Sequence, residues 1–334
     1  MAAYGAVCSG MTMSAVPTVM TVAGWRGTAV RGGCAVLVAA LPLVADAYTM
    51  QLASTALVAA AFALSLQLLV GGGGMVSLGH AAFFGIGAYA VRLVPPVLGS
   101  SSIFVTLPAA GVLAGLAALG VGALSMRTRG FFFLMTTLAF GQMLFFLFHD
   151  TPLGGGADGV FVERPTLSAF GLEYVVARRS RAAVMLWLNL GVLVGMYAGL
   201  AWLLRTMFGR ALLGIRANEH RMASLGFDTV LLKLAAFVGA GALAGVAGCM
   251  KAMTEAFVSP ELLGWQRSAE GLLAIVLGGM GALHGPVLGA FAFVGLGEVS
   301  HLLTERVHLV EGAVILLVVL FLPRGLAGVR GVRA

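Results

Sequence analysis

Charge is what this sequence has least of. Asp, Glu, Lys and Arg make up 10% of its 334 residues, and 60% are hydrophobic. An ordinary soluble domain carries about 25% charged residues. A water-soluble fold of this length could not hide so much apolar surface, which excludes that class and leaves a polytopic membrane protein. Cysteine is scarce too: Cys8, Cys34 and Cys249 lie far apart with no C-x-x-C pair. That excludes a disulfide framework and a Cys-based zinc site. No G-x-x-x-x-G-K-[ST] stretch occurs, so no P-loop is present to hydrolyse ATP. Residues 1–30 lack a basic region ahead of an apolar core and do not read as a cleaved signal peptide. They are expected to be a disordered tail, with Met1, Met11, Met13 and Met20 all open as the start.

Acids are rarer than bases, 13 against 20, for a net charge of +7. In a soluble protein this would raise nucleic acid as a partner. In a membrane chain the excess belongs in cytoplasmic loops, so no nucleic-acid partner is expected.

What the chain has is apolar sequence and glycine. A helix rises ~1.5 Å per residue, so crossing a hydrocarbon core of ~30 Å takes roughly 20 apolar residues. Apolar runs lie at 32–48, 52–70, 80–94, 103–125, 130–148, 182–204, 229–250, 269–283, 286–303 and 310–323. They predict an all-α polytopic membrane helix bundle of about 8–10 spans, with short or broken helices such as 80–94 and 269–283. The transmembrane domain covers 31–328, followed by a tail at 329–334. Alternating the spans from an inside N-terminus puts Arg26, Arg31, Arg127, Arg129, Arg205, Arg210, Arg216, Arg221, Arg324, Arg330 and Arg333 on the cytoplasmic side. Only Glu219 and Asp228 join them as acids. That bias favours both termini inside. The run ARRSR (177–181) falls outside, in a long loop where the rule weakens.

Glycine occurs 48 times. The spacings Gly191/Gly195/Gly199, Gly111/Gly115 and Gly241/Gly245 put small residues on one helix face, and in lipid such faces let backbones approach closely. They predict close packing within one bundle; smooth faces also permit sliding. The stretch VGGGGMVSLGHAAFFGIGAYAV (70–91) is denser still, and four successive glycines break a helix. Irregular backbone at membrane depth survives only when buried in protein or lining an aqueous path. A tight turn between spans and a pore-lining break both satisfy that.

No catalytic constellation is present. Ser77 and His80 stand three apart, but no Gly-x-Ser-x-Gly elbow accompanies them, and such neighbours rarely set up in-line attack. An ion-coupled transporter should carry ionisable groups in mid-membrane. The candidates Lys233, Glu270 and Glu298 each have an ordinary explanation: a snorkelling stem, a helix N-terminus, and a place near the outer end of a span.

The charged island GRALLGIRANEHRMASLGFD (209–228) interrupts this apolar text. Residues 211–225 predict one amphipathic helix stopped at Gly226. Met222 and Leu225 share a face, and Arg216, Glu219, His220 and Arg221 face water. A topology anchor needs only a few arginines. A rigid helix between two spans can also be gripped by a soluble partner, which would move both spans.

Over roughly residues 50–328 the chain resembles the branched-chain amino acid ABC transporter permeases, of the LivM type. Five stretches carry the resemblance in the family's order: GGMVSLGHAAFFGIGAYA, MRTRGFFFLMTTLAFGQM (126–143), GGGADGV (154–160), the island, and VLGGMGALHGPVLGA (276–290). Met75 stands where the family usually has Gln, Gln67 where Asn is common, and Gly154 where Thr is usual. The resemblance implies a permease subunit of a bacterial inner-membrane importer without its own ATPase site or cofactor. It would pair with a second homologous permease, two cytoplasmic ATPase subunits and an extracytoplasmic substrate-binding protein. Gly209, Arg210, Arg216, Asn218, Glu219, Met222, Ala223, Leu225 and Gly226 would couple to the ATPases. Gly71, Gly73, Gly74, Ser77, Gly79, His80, Phe83, Gly85 and Gly87 would line the translocation pathway. Gly155, Gly156, Asp158 and Gly159 would dock the binding protein. Branched-chain amino acids are the implied cargo. Relatives that move urea and short-chain amides are the first alternative, and a secondary transporter or channel the second.

Overall fold

An apolar run with no helix breaker builds α1 (Ala47–Gln67), which is the axis of the fold. Its apolar residues lie all round rather than on one stripe, as suits a helix with protein on every side. Of its most apolar stretch 83% is buried, against 22–39% for the other four long apolar helices. The computed structural model describes residues 46–98, 102–128, 130–162, 166–169, 172–175, 181–303, 306–321 and 325–328. The tails 1–30 and 329–334, the predicted span 32–48 up to residue 45, and ARRSR up to residue 180 lie outside them.

Nine of the ten predicted spans coincide with helices among the described residues. After α1 come α2 (His80–Leu98), α3 (Ile103–Ser125), α4 (Phe131–Asp150) and α5 (Arg181–Arg205). Two short helices follow, α6 (Met207–Ala217) and α7 (Glu219–Ser224), then α8 (Thr229–Glu255). The chain ends in α9 (Trp265–Gly278), α10 (Gly285–Leu303), α11 (Val307–Phe321) and the single turn α12 (Gly325–Gly328). Two boundaries matter later. α8 runs to Glu255 rather than stopping at 250, and α9 covers 265–278 rather than 269–283. Two antiparallel strand pairs add to the helices: β1 (Val160–Phe161) with β4 (Phe257–Val258), and β2 (Thr166–Ala169) with β3 (Leu172–Val175).

Small residues hold α8 between α2 and α3. A Cβ on Gly245 would stand 2.3 Å from Ala114 Cβ, one on Gly87 2.0 Å from Gly245 O, and one on Gly248 1.8 Å from Phe84 O. No side chain fits at these contacts, so backbone meets backbone, as small-residue faces allow in lipid. Gly111 and Gly115 face Val246 and Ala242 across the same seam. The third stripe does not follow the expectation. Among the described residues nothing lies within 4 Å of a Cβ built on Gly191, Gly195 or Gly199. That face of α5 points away from the chain's own bundle, because α5 packs through the side that buries Met185, Asn189, Leu193 and Met196.

The antiparallel fit of α3 and α8, with Gly111 beside Val246 and Gly122 beside Leu234, sets the ends of the bundle. One end collects 71–75, 126–128, 206–228 and 279–284; Gln67 Nε2 donates to Met280 O there at 2.9 Å. The other collects Ala47, Ser102, 150–162 and 255–264, joined by the Val160↔Val258 pairing.

Candidate functional site

The glycine break is buried at the end of the bundle that carries the charged segment, and the irregular run after it leads inward. α1 widens into a π-helical turn (Leu68–Gly73), and Gly74 takes a left-handed φ of 66° that ends it. The next residues are non-helical until α2 starts at His80. A Cβ on Gly79 would stand 2.0 Å from Thr137 O, and one on Gly141 would stand 2.9 Å from Gly79 Cα. Thr137 and Gly141 sit in the interior of α4, so α2 begins part-way along the bundle. The run is therefore a broken span with buried irregular backbone, not a turn at its surface. The N-terminus of α2 is tied down by Ala81 N–H, which donates to Ser268 Oγ of α9 at 2.8 Å.

The polar residues of the break do not form a dyad. Buried His80 Nε2 lies 3.0 Å from Ser65 Oγ of α1 rather than on Ser77. Ser77 Oγ and His80 Nδ1 have no protein partner among the described residues. The imidazole packs between Phe62 and Phe83, with ring centroids at 5.6 and 5.9 Å. Phe83 meets Phe237 edge-on. Gly85 is pressed by the Leu263 side chain, and Gly87 by Gly245. The residues from Gly71 to Gly87 thus follow one line along the broken span, buried except at Gly74, Val76, Leu78 and Ile86.

The charged segment grips this break. It is two helices rather than the single helix over 211–225. Asn218, with extended φ −162° and ψ 100°, ends α6 and caps α7 by accepting from Arg221 N–H at 3.0 Å. Asn is a favoured N-cap, so the break was readable in the Asn-Glu pair. Gly226, at φ 87°, closes the segment where expected, and Gly209 lies so close to Leu204 Cα (2.4 Å from its Cβ position) that the α5–α6 corner admits no side chain. Leu212 of α6 is fully buried, with methyls 3.0 Å from the Cβ position of Gly72 and 3.5 Å from that of Gly73. The Arg216 guanidinium donates to Gly71 O, and Glu219 pairs with Lys233 Nζ at 2.6 Å.

Three expectations change here. Arg216 and Glu219 turn toward the bundle instead of standing in water, since each finds a partner there. Lys233 ends in that ion pair rather than snorkelling free. Met222 and Leu225 do not form one ridge. Met222 Sδ lies 2.7 Å from the Cβ position of Gly214, inside the α6–α7 angle, while Leu225 is 67% exposed. The exposed surface of the segment includes Arg210, Asn218, His220, Arg221, Ala223 and Leu225.

At the other end, Gly155, Gly156 and Gly159 all take left-handed φ (78°, 74° and 73°), which only glycine adopts without cost. They bend the chain into β1 and leave Asp158 exposed. A Cβ on Gly154 would stand 2.2 Å from Phe148 O. Gly154 O also accepts from Tyr89 OH at 3.2 Å.

One feature was missed from the sequence. A cavity of about 140 Å³ lies between α1, α2 and α8–α11, lined by Lys251, Arg267, Glu270 and Glu311 among apolar side chains. The apolar run at 229–250 leaves Lys251 just outside its span. Because α8 continues to Glu255, Lys251 is inside the helix, 7% exposed, and paired with Glu255 at 2.5 Å. Arg267 and Glu270 pair at 2.7 Å across the first turn of α9. Glu298, by contrast, accepts from Tyr48 OH. The signal that could have found the cavity was the helical continuation CMKAMTE past 250.

The sequence family described as "Branched-chain amino acid transport system / permease component" matches residues 48–322. The high-affinity branched-chain amino acid transport system permease protein LivM of Escherichia coli (strain K12) is 31% identical over 312 residues, 87% of this chain and 72% of that protein. LivM of Salmonella typhimurium is 30% identical over the same shares. The E. coli permease protein LivH is 32% identical over 116 residues, 34% of this chain and 37% of its own. No solved structure matches.

Proposed function

The chain belongs to the branched-chain amino acid transport system permease component family, and from that premise we propose that it is the permease subunit of an ABC importer for branched-chain amino acids. It works in a bacterial inner membrane with both termini in the cytoplasm. A second homologous permease completes the pathway; its counterpart among the relatives is LivH. Two cytoplasmic ATPases drive it, and an external binding protein delivers cargo to the Gly154–Gly159 end.

The observation that carries this reading is the grip of α6 on the glycine break. Leu212 fills the hollow over Gly72 and Gly73, and Arg216 holds Gly71 O. Leu225 and Arg221 remain exposed on the outside of the same segment. An ATPase that takes hold of this outer surface moves α6, and α6 has no slack against the π turn. Displacement of that turn passes through residues 74–79 to the start of α2. Tight packing transmits such shifts because a packed core rearranges between discrete states instead of deforming.

The test is the pair Arg221→Ala with Leu225→Ala, which leaves the buried contacts of α6 untouched. Truncating an interface anchor costs about 2 kcal/mol, on the order of a thirtyfold loss in affinity. The expected result is normal membrane insertion, loss of the ATPases on purification, and loss of substrate-stimulated ATP hydrolysis. Full copurification and transport would reduce the segment to a charged loop. The ionisable cavity favours one second reading, an ion-coupled secondary transporter. Uptake that continues without ATP and collapses with the ion gradient would select it.

A further inference from the structure

We propose that the cavity between α1 and α9–α11 is a binding site for a zwitterionic amino acid with an aliphatic side chain. It rests on the transport reading above and gives that reading a stopping point within this subunit. The four charges on the wall are Lys251 and Arg267 against Glu270 and Glu311. Lys251 is already paired with Glu255, so the ion pair offered to a zwitterion is Arg267 with Glu270. Ionisable side chains that face a cavity within a membrane bundle mark substrate paths.

Apart from Thr55 the rest of the wall is apolar, with Val58 and Phe62 from α1 and Phe293 and Val294 from α10. Its volume of about 140 Å³ is close to the ~150 Å³ of a dry cavity that holds benzene, so a branched aliphatic group fits. The polar rim is within reach of an arriving ligand, since the Arg267 and Glu270 side chains are 43% and 41% exposed. A planar guanidinium matches a carboxylate in two-point geometry. The incoming carboxylate takes Arg267, and the ammonium takes Glu270, so one ion pair is replaced by two. Lys251 stays with Glu255 at 2.5 Å and keeps the deeper wall balanced. Urea or a simple amide would leave both the charges and the apolar wall unused.

The test measures binding of radiolabelled leucine to the purified permease pair without its binding protein, alongside uptake by the complete reconstituted transporter. Leucinol lacks the carboxylate and 4-methylpentanoate lacks the ammonium. Each should compete at least tenfold more weakly than leucine, in the wild-type protein. Arg267→Gln and Ala59→Phe, the second placed to fill the cavity, should each lose at least tenfold in affinity while remaining monodisperse. Equal competition by the analogues overturns the proposal, as does wild-type affinity in the two variants. Leucine uptake by a wild-type complex that shows no leucine binding also overturns it and leaves the transport reading standing. A complete transporter that takes up no apolar amino acid overturns the transport reading itself.

Discussion

Gly79→Ala is the smallest change that should disable the broken span. The Cβ it adds would stand 2.0 Å from Thr137 O and 2.8 Å from Thr137 C, where real Cβ contacts essentially never fall below 3.0 Å. Relief therefore needs a movement of at least about 1 Å. The obstacle is helix backbone in the interior of α4, which cannot swing aside as a side chain can. Either residues 74–79 shift or α4 slides, and a gap of that size forfeits a quarter to a half of each contact it opens. Overpacking of this kind costs about 1–3 kcal/mol, and a backbone obstacle argues for the top of that range. About 3 kcal/mol is on the order of a hundredfold in the folded population. Two other glycine-to-alanine changes grade the effect. At Gly73 the nearest atom is Met75 Cε at 2.9 Å, the far end of a flexible side chain, and at Gly120 nothing lies within 4 Å. Gly73→Ala should cost less than about 1 kcal/mol, and Gly120→Ala should stabilise by about 0.5–1 kcal/mol. The assay is thermal loss of monodispersity in detergent, read beside uptake in vesicles. The expected order of stability is Gly120→Ala, wild type, Gly73→Ala, then Gly79→Ala well below, with uptake lost only in the last. A Gly79→Ala protein as stable and active as wild type would refute the wedging of 74–79 against α4.

Further outcomes follow from the same contacts. In a background without Cys8, Cys34 and Cys249, single cysteines at 220 and 158 should label from opposite sides of the membrane, the first from the cytoplasm; labelling of both from one side would break the topology. Glu219→Ala leaves Lys233 without its 2.6 Å partner and should cost about 1–3 kcal/mol, between an exposed pair and a buried one. Glu219→Ala with Lys233→Met should recover most of that in the thermal assay. Gly154→Thr should be destabilising because its Cβ meets Phe148 O. Unchanged stability would mean that the 148–154 turn adjusts freely.

The membrane class, the all-helical fold and the approximate helices were legible in the sequence because they depend on local quantities. Hydropathy over a window of about twenty residues reports burial in lipid whatever the neighbours are. Caps and stops are equally local: Gly226 was read, and Asn218 was readable. The two contact stripes, Gly111/Gly115 and Gly241/Gly245, were also legible, since spacing alone puts them on faces. Which face meets which neighbour was not. The Gly191/Gly195/Gly199 stripe has the same spacing, yet it points away from the bundle. Spacing records a face but not what lies opposite it.

The same limit governs the candidate site. Sequence marks Gly71–Gly74 as a break; only the packing of Gly79 against Thr137 and Gly141 decides that the irregular run after it reaches into the bundle. Sequence marks 209–228 as charged and amphipathic; only the fold turns Arg216 toward Gly71 and Glu219 toward Lys233. Lys251, Arg267, Glu270 and Glu311 are spread over sixty residues of chain and meet at one cavity. A pairing between distant segments costs loop entropy that no local pattern encodes, and it is fixed by the summed packing of the helices that carry it. Periodicity therefore determined what each helix is, and tertiary contact alone decided what each charge touches.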